Sequence, residues 1–362
     1  MIPVTKTFFP PIEDYHKQIE RIWENKWLTN RGQLTLELEK KLENYLGISN
    51  IILNTNGTLP IQIALNALAD CGEVITTPFS YVATTSAIVW EKCSPVFVDI
   101  HPEYLTIDET KIEAAITTKT TAILATHVFG NPCNVSEIQK IAQKYNLKVI
   151  YDAAHCFGVK YKGQSIFNFG DVSTCSFHAT KIFHTGEGGA LFCNDIKLIK
   201  KMFYSHNFGH KSKIDFHGVG INAKMSELQA AMGLTVLPYM KEIFEKRKKI
   251  VDYYNENLDF SHLTKLIIRE GTNWNYSYYP IIFESETNLL KVQVLLNESG
   301  VFPRRYFYPS LNTLNYIDEI SMPISESIAS RVMCLPLYYE LEYSEITNIC
   351  LIINNSLVEV DK

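Results

Sequence analysis

Two ionisable side chains of opposite charge stand 29 residues apart, each just past an apolar run: Asp152 in YDAAHCFG and Lys181 in SFHATKIFHTGEGGALF. A lysine that attacks a carbonyl must be partly desolvated, so that its amine is neutral often enough to react. A pocket at the ends of strands provides that setting. A carboxylate at the end of an apolar strand is placed to keep a heterocyclic nitrogen protonated. Taken singly, each residue reads equally as something plainer: Lys181 as a solvated charge, Asp152 as a helix cap or a structural acceptor.

A cofactor that needs both groups is pyridoxal phosphate, whose ring draws electrons only while its nitrogen is positively charged. It also needs a phosphate anchor. In NTNGTLPIQIAL, Gly57 allows close approach of the main chain, and Thr58 opens a helix whose free N–H groups favour an anion. Ser176, five residues before Lys181, adds a hydroxyl. Tyr81 in TTPFSYVAT is placed to stack on a flat ring. The GEGG run follows the lysine, so neither a Walker phosphate loop nor a GxGxxG dinucleotide turn is present. A capped helix start and an ordinary core aromatic account for Gly57, Thr58 and Tyr81 when each is taken alone.

These residues require elements to position them. From about residue 50 to 195, NIILNT, EVITTP, SPVFVDI, TAILATH, KVIYDAA, DVSTCSF and GALFCND predict seven strands. Several are apolar at successive positions, as burial on both faces demands. LPIQIALNALADC and VSEIQKIAQKYN carry apolar residues three and four apart and predict helices between them. The alternation implies an α/β fold, a mostly parallel sheet with flanking helices, whose ligands gather at the carboxyl ends of the strands. A helical stretch spans residues 225–258, which Pro238 should interrupt. The remainder mixes strand-like KLIIRE and YSYYPIIF with helical NLLKVQVLLNESG and reads as a smaller α+β unit. The expected division is a large domain over 1–240 and a small one over 241–362, with the N-terminal segment able to pack on the small domain.

Composition narrows the partners. The 362 residues are 46% hydrophobic and 20% charged, ordinary for a globular chain with a full core. A net charge of −5 argues against nucleic acid or an anionic membrane, both of which require a concentrated basic face. The eight cysteines form no CxxC pair, so neither a metal site nor a disulfide framework is indicated. With no signal pattern and no membrane-length apolar run, a cytoplasmic location is expected.

In order along the chain, NGT, TTPFSYVATTSA, FVDI, HVFGNPC, YDAAHCFGV, SFHATK…GEGGAL and GINAKMSELQAAMG resemble the DegT-type nucleotide-sugar aminotransferases. The resemblance runs from residue 1 to at least 235 and continues more loosely through YFYPSL and CLPLYY. It implies the fold-type I aminotransferase architecture and pyridoxal phosphate as cofactor. Lys181 then corresponds to the lysine that holds the cofactor covalently and moves the proton, and Asp152 to the partner of the ring nitrogen. Tyr81 matches the stacking aromatic, and Gly57, Thr58 and Ser176 match the phosphate contacts. Asn222 resembles an asparagine that reaches the phosphate from a neighbouring subunit, which implies a homodimer with shared active sites.

The pattern departs from the family at two places. His155 stands where the family usually has the glutamine of DAAQ, near the ring hydroxyl. Lys224 replaces a common arginine and loses any bidentate contact. Some relatives carry histidine in place of the lysine and are dehydratases, a chemistry that Lys181 argues against. Within the family, IPVTKTFFPPIEDY, GEVITTPFSYVATTSAIVW and KVIYDAAHCFGVKYKG look most like the subgroup that aminates C4 of dTDP-4-keto-6-deoxyglucose with glutamate, for surface polysaccharide. A C3 aminotransferase acting on a 3-keto sugar nucleotide is the nearest alternative. A non-catalytic sensor on the same fold is the alternative of another class. Substrate contacts are expected from Thr29, Asn30, Arg31, His184, Lys224 and Tyr308, with Arg304 and Arg305 as further candidates for the diphosphate.

Overall fold

The fold is seen in a computed structural model that describes residues 1–318 and 320–358. The seven apolar runs form one seven-stranded sheet. Its order is Ile51–Asn54, Gly189–Phe192, Val172–Ser176, Lys148–Asp152, Thr120–Thr126, Glu73–Thr76, Ser94–Phe97. Every neighbouring pair is parallel except those made by Gly189–Phe192, which runs antiparallel to both of its neighbours. That strand follows Val172–Ser176 after a loop with no intervening helix, so it returns along the same edge, with Gly189 opposite both Ser176 and Asn54. The loop between these strands carries Lys181. Helices cover both faces, and Ile75, Ile123, Val149 and Leu124, Ile150, Leu191 are fully buried against them.

The predicted long helix is broken at Pro238. Glu227–Val236 and Met240–Asn257 are separated by the turn Leu237–Tyr239, because proline cannot donate to the ladder of the helix before it. Beyond it, an antiparallel sheet of Leu263–Lys265, Tyr279–Phe283 and Val332–Leu335 packs with the helices Glu286–Glu298 and Tyr343–Val358 around a second apolar core. No helix among the described residues is long and apolar enough to cross a membrane.

Three polar buttresses fix the C-terminal layer on the large sheet. Asp99 Oδ1 accepts from the Ser325 N–H (2.8 Å) and Oδ2 from the Ile324 N–H (2.9 Å), capping the helix Pro323–Arg331 from another part of the chain. Arg247 is buried, and its guanidinium donates to the carbonyls of Tyr276, Ser277 and Leu337 at 2.7–2.9 Å. Burial without a carboxylate partner pulls its pKa down to about 10. Asn275 Nδ2 donates to the carbonyls of His155 (2.8 Å) and Phe157 (3.0 Å), tying the 275–278 segment to the loop after Asp152.

The leading segment is a strap across both layers. Ile2–Pro3 pairs in parallel with Val301–Phe302, and the Leu337 N–H donates to the Val4 carbonyl. Thr5 Oγ1 donates to the Thr180 carbonyl (3.4 Å) and His184 Nε2 to the Phe8 carbonyl (2.7 Å), beside the lysine loop.

Candidate active site

The carboxyl ends of the strands open into a cavity of about 260 Å³. Lys181 and Asp152 both line it. Asp152, 6% exposed, ends its strand; Oδ2 accepts from Thr84 Oγ1 (2.6 Å) and Oδ1 from the Ala154 N–H (3.1 Å). Burial pushes its carboxyl above the usual range, while those two donors and the Lys181 ammonium pull it back. The carboxylate is held on two sides and faces the cavity, so a cationic ring nitrogen is the natural neutraliser of its charge.

Lys181 leaves a turn closed by its own N–H to the His178 carbonyl. Its Nζ donates to Tyr278 Oη at 3.3 Å. Tyr278 is buried, and Arg247 and Asn275 fix the main chain beside it. Nothing in NYSYYP marks that tyrosine at the sequence level, because its place depends on Arg247 and on the loop after Asp152, both far away in the chain. Thr84, Tyr306 and Phe307 also escaped the sequence reading. Phe307 extends an aromatic wall, its ring parallel to those of His155 (5.7 Å) and Phe129 (5.8 Å).

His155 is buried in that wall. The Phe129 N–H donates to its Nδ1 at 3.1 Å. Burial, reinforced by the nearby Lys181 charge, holds its pKa well below the usual histidine value. A neutral ring whose Nδ1 is an acceptor must carry its hydrogen on Nε2. The departure from glutamine therefore preserves a side-chain N–H donor.

At the other end, Gly57, Thr58 and Ser176 line the cavity where the helix Thr58–Leu68 begins. The N–H groups of Thr58 and Leu59 both donate to Asn56 Oδ1 (2.9 and 3.0 Å), and Pro60 has none to offer. A side-chain oxygen thus stands where an anion would collect those donors. A Cβ on Gly57 would lie 2.6 Å from Ser176 Cβ, so the close approach of these two segments requires glycine. An acid, an amine, an aromatic wall with an N–H donor and an anion cradle make a donor set that fits pyridoxal phosphate. Tyr81 lines the same cavity, 54% exposed, its ring 6.5 Å from that of Phe307.

Other expected residues lie elsewhere on the chain. Asn222, Lys224, Thr29, Asn30 and Arg31 are not among the residues that line the cavity. Asn222 is exposed and accepts from Lys224 Nζ (2.6 Å), and Arg31 pairs with Glu39 (2.6 Å). Buried Glu227, three residues past Lys224, accepts from the N–H groups of Leu34 and Thr35 and the Thr35 hydroxyl, and its own N–H donates to the Leu28 carbonyl. His184 is 1% exposed and turned toward the leading segment, away from the cavity. Tyr308 is half exposed under Arg305, whose Cζ lies 3.6 Å from its ring centroid.

Comparison with known proteins places the chain in a family. A dTDP-4-amino-4,6-dideoxy-D-glucose transaminase of Shigella dysenteriae is 43% identical over 345 residues, 93% of this chain and 94% of that protein. An Escherichia coli protein of the same name is 41% identical over 359 residues, 94% of each. The crystal structure of DesI with its TDP-sugar product superposes with a TM-score of 0.93 at 28% identity, covering 99% of this chain and 95% of DesI. Residues 12–354 match the DegT/DnrJ/EryC1/StrS aminotransferase family, and the chain belongs to it.

Proposed function

We propose that this protein is a pyridoxal-phosphate-dependent aminotransferase that moves the amino group of glutamate to C4 of dTDP-4-keto-6-deoxy-D-glucose, giving dTDP-4-amino-4,6-dideoxy-D-glucose. The observation that carries the reading is that Lys181 and buried Asp152 face one cavity whose far end is a helix N-terminus. The likeness to the Shigella and Escherichia coli transaminases supports C4 over C3.

Bound there, pyridoxal phosphate supplies a carbonyl carbon and an electron-withdrawing ring. Asp152 would hold the proton on the ring nitrogen, with Thr84 and Ala154 keeping its oxygens in place. His155, with its hydrogen on Nε2, would offer a donor to the cofactor. Lys181 Nζ would be the covalent attachment point, and its free amine would serve as the general base for the donor's α-proton and as the acid that returns it. Tyr278 Oη, 3.3 Å away, orients the free amine between those two transfers. The two substrates use the site in turn, so ping-pong kinetics are expected.

A homodimer completes the site in this reading. The segment between Phe208 and Ile221 exposes Phe208, Ile214, Phe216, Val219 and Ile221, an apolar surface suited to a second copy. Asn222 and Lys224 at its end, with Thr29, Asn30 and Arg31, would then contribute to the partner's cavity.

The test is direct. Purified protein should absorb near the visible edge and lose that band with glutamate. It should then aminate a 4-keto dTDP-sugar, the product being identified by NMR. Lys181→Ala should lower turnover at least about 10⁴-fold, in keeping with loss of a covalent and proton-transfer group. Amination of only the 3-keto substrate would overturn the C4 assignment, and a colourless protein that never takes up the cofactor would overturn the whole reading.

A further inference from the structure

The four cations that could meet an anionic substrate are not equivalent. Arg31 is committed to Glu39, and Lys224 to the Asn222 side chain. Arg305 Nη2 donates to Glu286 Oε1 (2.6 Å) and the Ser330 carbonyl (2.7 Å). Arg304 alone among them lines the cavity. Its guanidinium has no hydrogen-bond or ion-pair partner among the described residues and lies over the Tyr306 ring, Cζ 4.8 Å from the centroid. The main chain beneath it is fixed, exchanging both backbone bonds with Cys334 (3.1 and 2.8 Å). An exposed charged head with no ion-pair partner, laid on Tyr306 above a main chain held by two backbone bonds, is arranged to meet a ligand rather than to hold the fold.

Its position selects which ligand group it meets. The path from Lys181 Nζ runs through the Tyr278 hydroxyl at 3.3 Å, then to the Tyr306 ring at 5.4 Å, then to Arg304. Two phenol rings therefore separate the amine from the guanidinium. An amino acid reacts at Cα, beside the amine; a glutamate then carries its second carboxylate three carbon–carbon bonds further out. Apart from Lys181, Arg304 is the only lysine or arginine among the described residues that lines the cavity, so among them it is the one placed to pair with that outer charge within one protomer.

We propose that Arg304 binds the side-chain carboxylate of the amino donor and thereby selects a five-carbon dicarboxylic amino acid over a neutral one. The inference rests on the aminotransferase reading above. The experiment compares the holoenzyme with its R304M and R304K variants, using glutamate and norvaline, which has the same carbon chain without the outer carboxylate. Loss of the holoenzyme's band near the visible edge is followed in the first half-reaction, and the binding of unreactive glutarate is followed by calorimetry. In R304M the ratio of glutamate to norvaline kcat/KM should fall about 30-fold, the scale of a lost charge-assisted pair, and glutarate affinity should fall by a similar factor. R304K should recover part of both, since it restores the charge but not the fork. A glutamate-reactive R304M with an unchanged ratio would overturn the proposal. So would a variant in which only the KM for the sugar nucleotide rises, which would make Arg304 a phosphate contact. A wild-type protein inert to every amino donor would instead bring down the aminotransferase reading, and this inference with it.

Discussion

His155 shows how one substitution can be accommodated by a single backbone donor. The Phe129 N–H occupies Nδ1, so the ring has one tautomer left and one hydrogen to give. Nitrogen-15 NMR of the labelled protein should find Nε2 protonated and Nδ1 bare, with no change between pH 6 and 8. His155→Gln keeps an N–H donor and should retain activity within a few-fold. His155→Phe removes it and should cost about 10- to 100-fold in kcat/KM, in line with one hydrogen bond to a charged oxygen. Lys181, Asp152, Gly57 and Ser176 were legible in the sequence because local motifs set their places, each at or just past a strand end or a helix start. Tyr278 and Arg304 could not be ranked from sequence. Arg247 and, through Asn275, the loop after Asp152 hold Tyr278, and Cys334 holds Arg304, from distant positions in the chain.

The same division holds for the elements. The seven strands were legible because burial on both faces writes an unbroken apolar run, and the break at Pro238 because proline lacks the donor. The small sheet of Lys160–Tyr161, Gln164–Ser165 and Thr272–Asn273 left no such trace, since two-residue strands carry no periodicity. Capping across the chain is equally silent. Asp99 looks like a residue at the end of FVDI, yet it caps a helix whose first residue is Pro323. Asp99→Ala should leave two buried-end N–H groups without acceptors and destabilise the protein by about 1–2 kcal/mol. Equilibrium urea unfolding measures this, and a change under ~0.3 kcal/mol would show that water replaces the carboxylate at no cost.

At the scale of the whole molecule, several buried histidines share one electrostatic sign. Burial lowers the pKa of His127 to about 3 and of His206 to about 4, and it also lowers those of His155 and His184. In the unfolded chain these groups take protons below about pH 6.5, whereas in the native protein they do not. The unfolded state then binds more protons, so stability falls as pH falls through 6.5. Each group contributes up to about 1.4 kcal/mol per pH unit. Glu39 and Asp152, whose carboxyls are raised by burial, work in the opposite direction and offset part of the loss. Urea midpoints measured from pH 8 to 5 should therefore decline, most steeply below 6.5, and a flat profile would contradict the neutral burial of these rings.

The strap of residues 2–8 has a consequence for the order in which the protein is made. Its partners are Gly300, Val301, Phe302 and Leu337 on one side and Thr180 and His184 on the other. A ribosome adding roughly 5–20 residues each second delivers Ile2 some 15–60 s before Val301 exists to receive it. The large sheet, complete by Phe192, can close during that interval, before residues 2–4 have their partners. The pairing of Ile2–Pro3 and Val4 with the C-terminal layer is thus formed late, after the contacts of Thr5 and Phe8 with the lysine loop have become available.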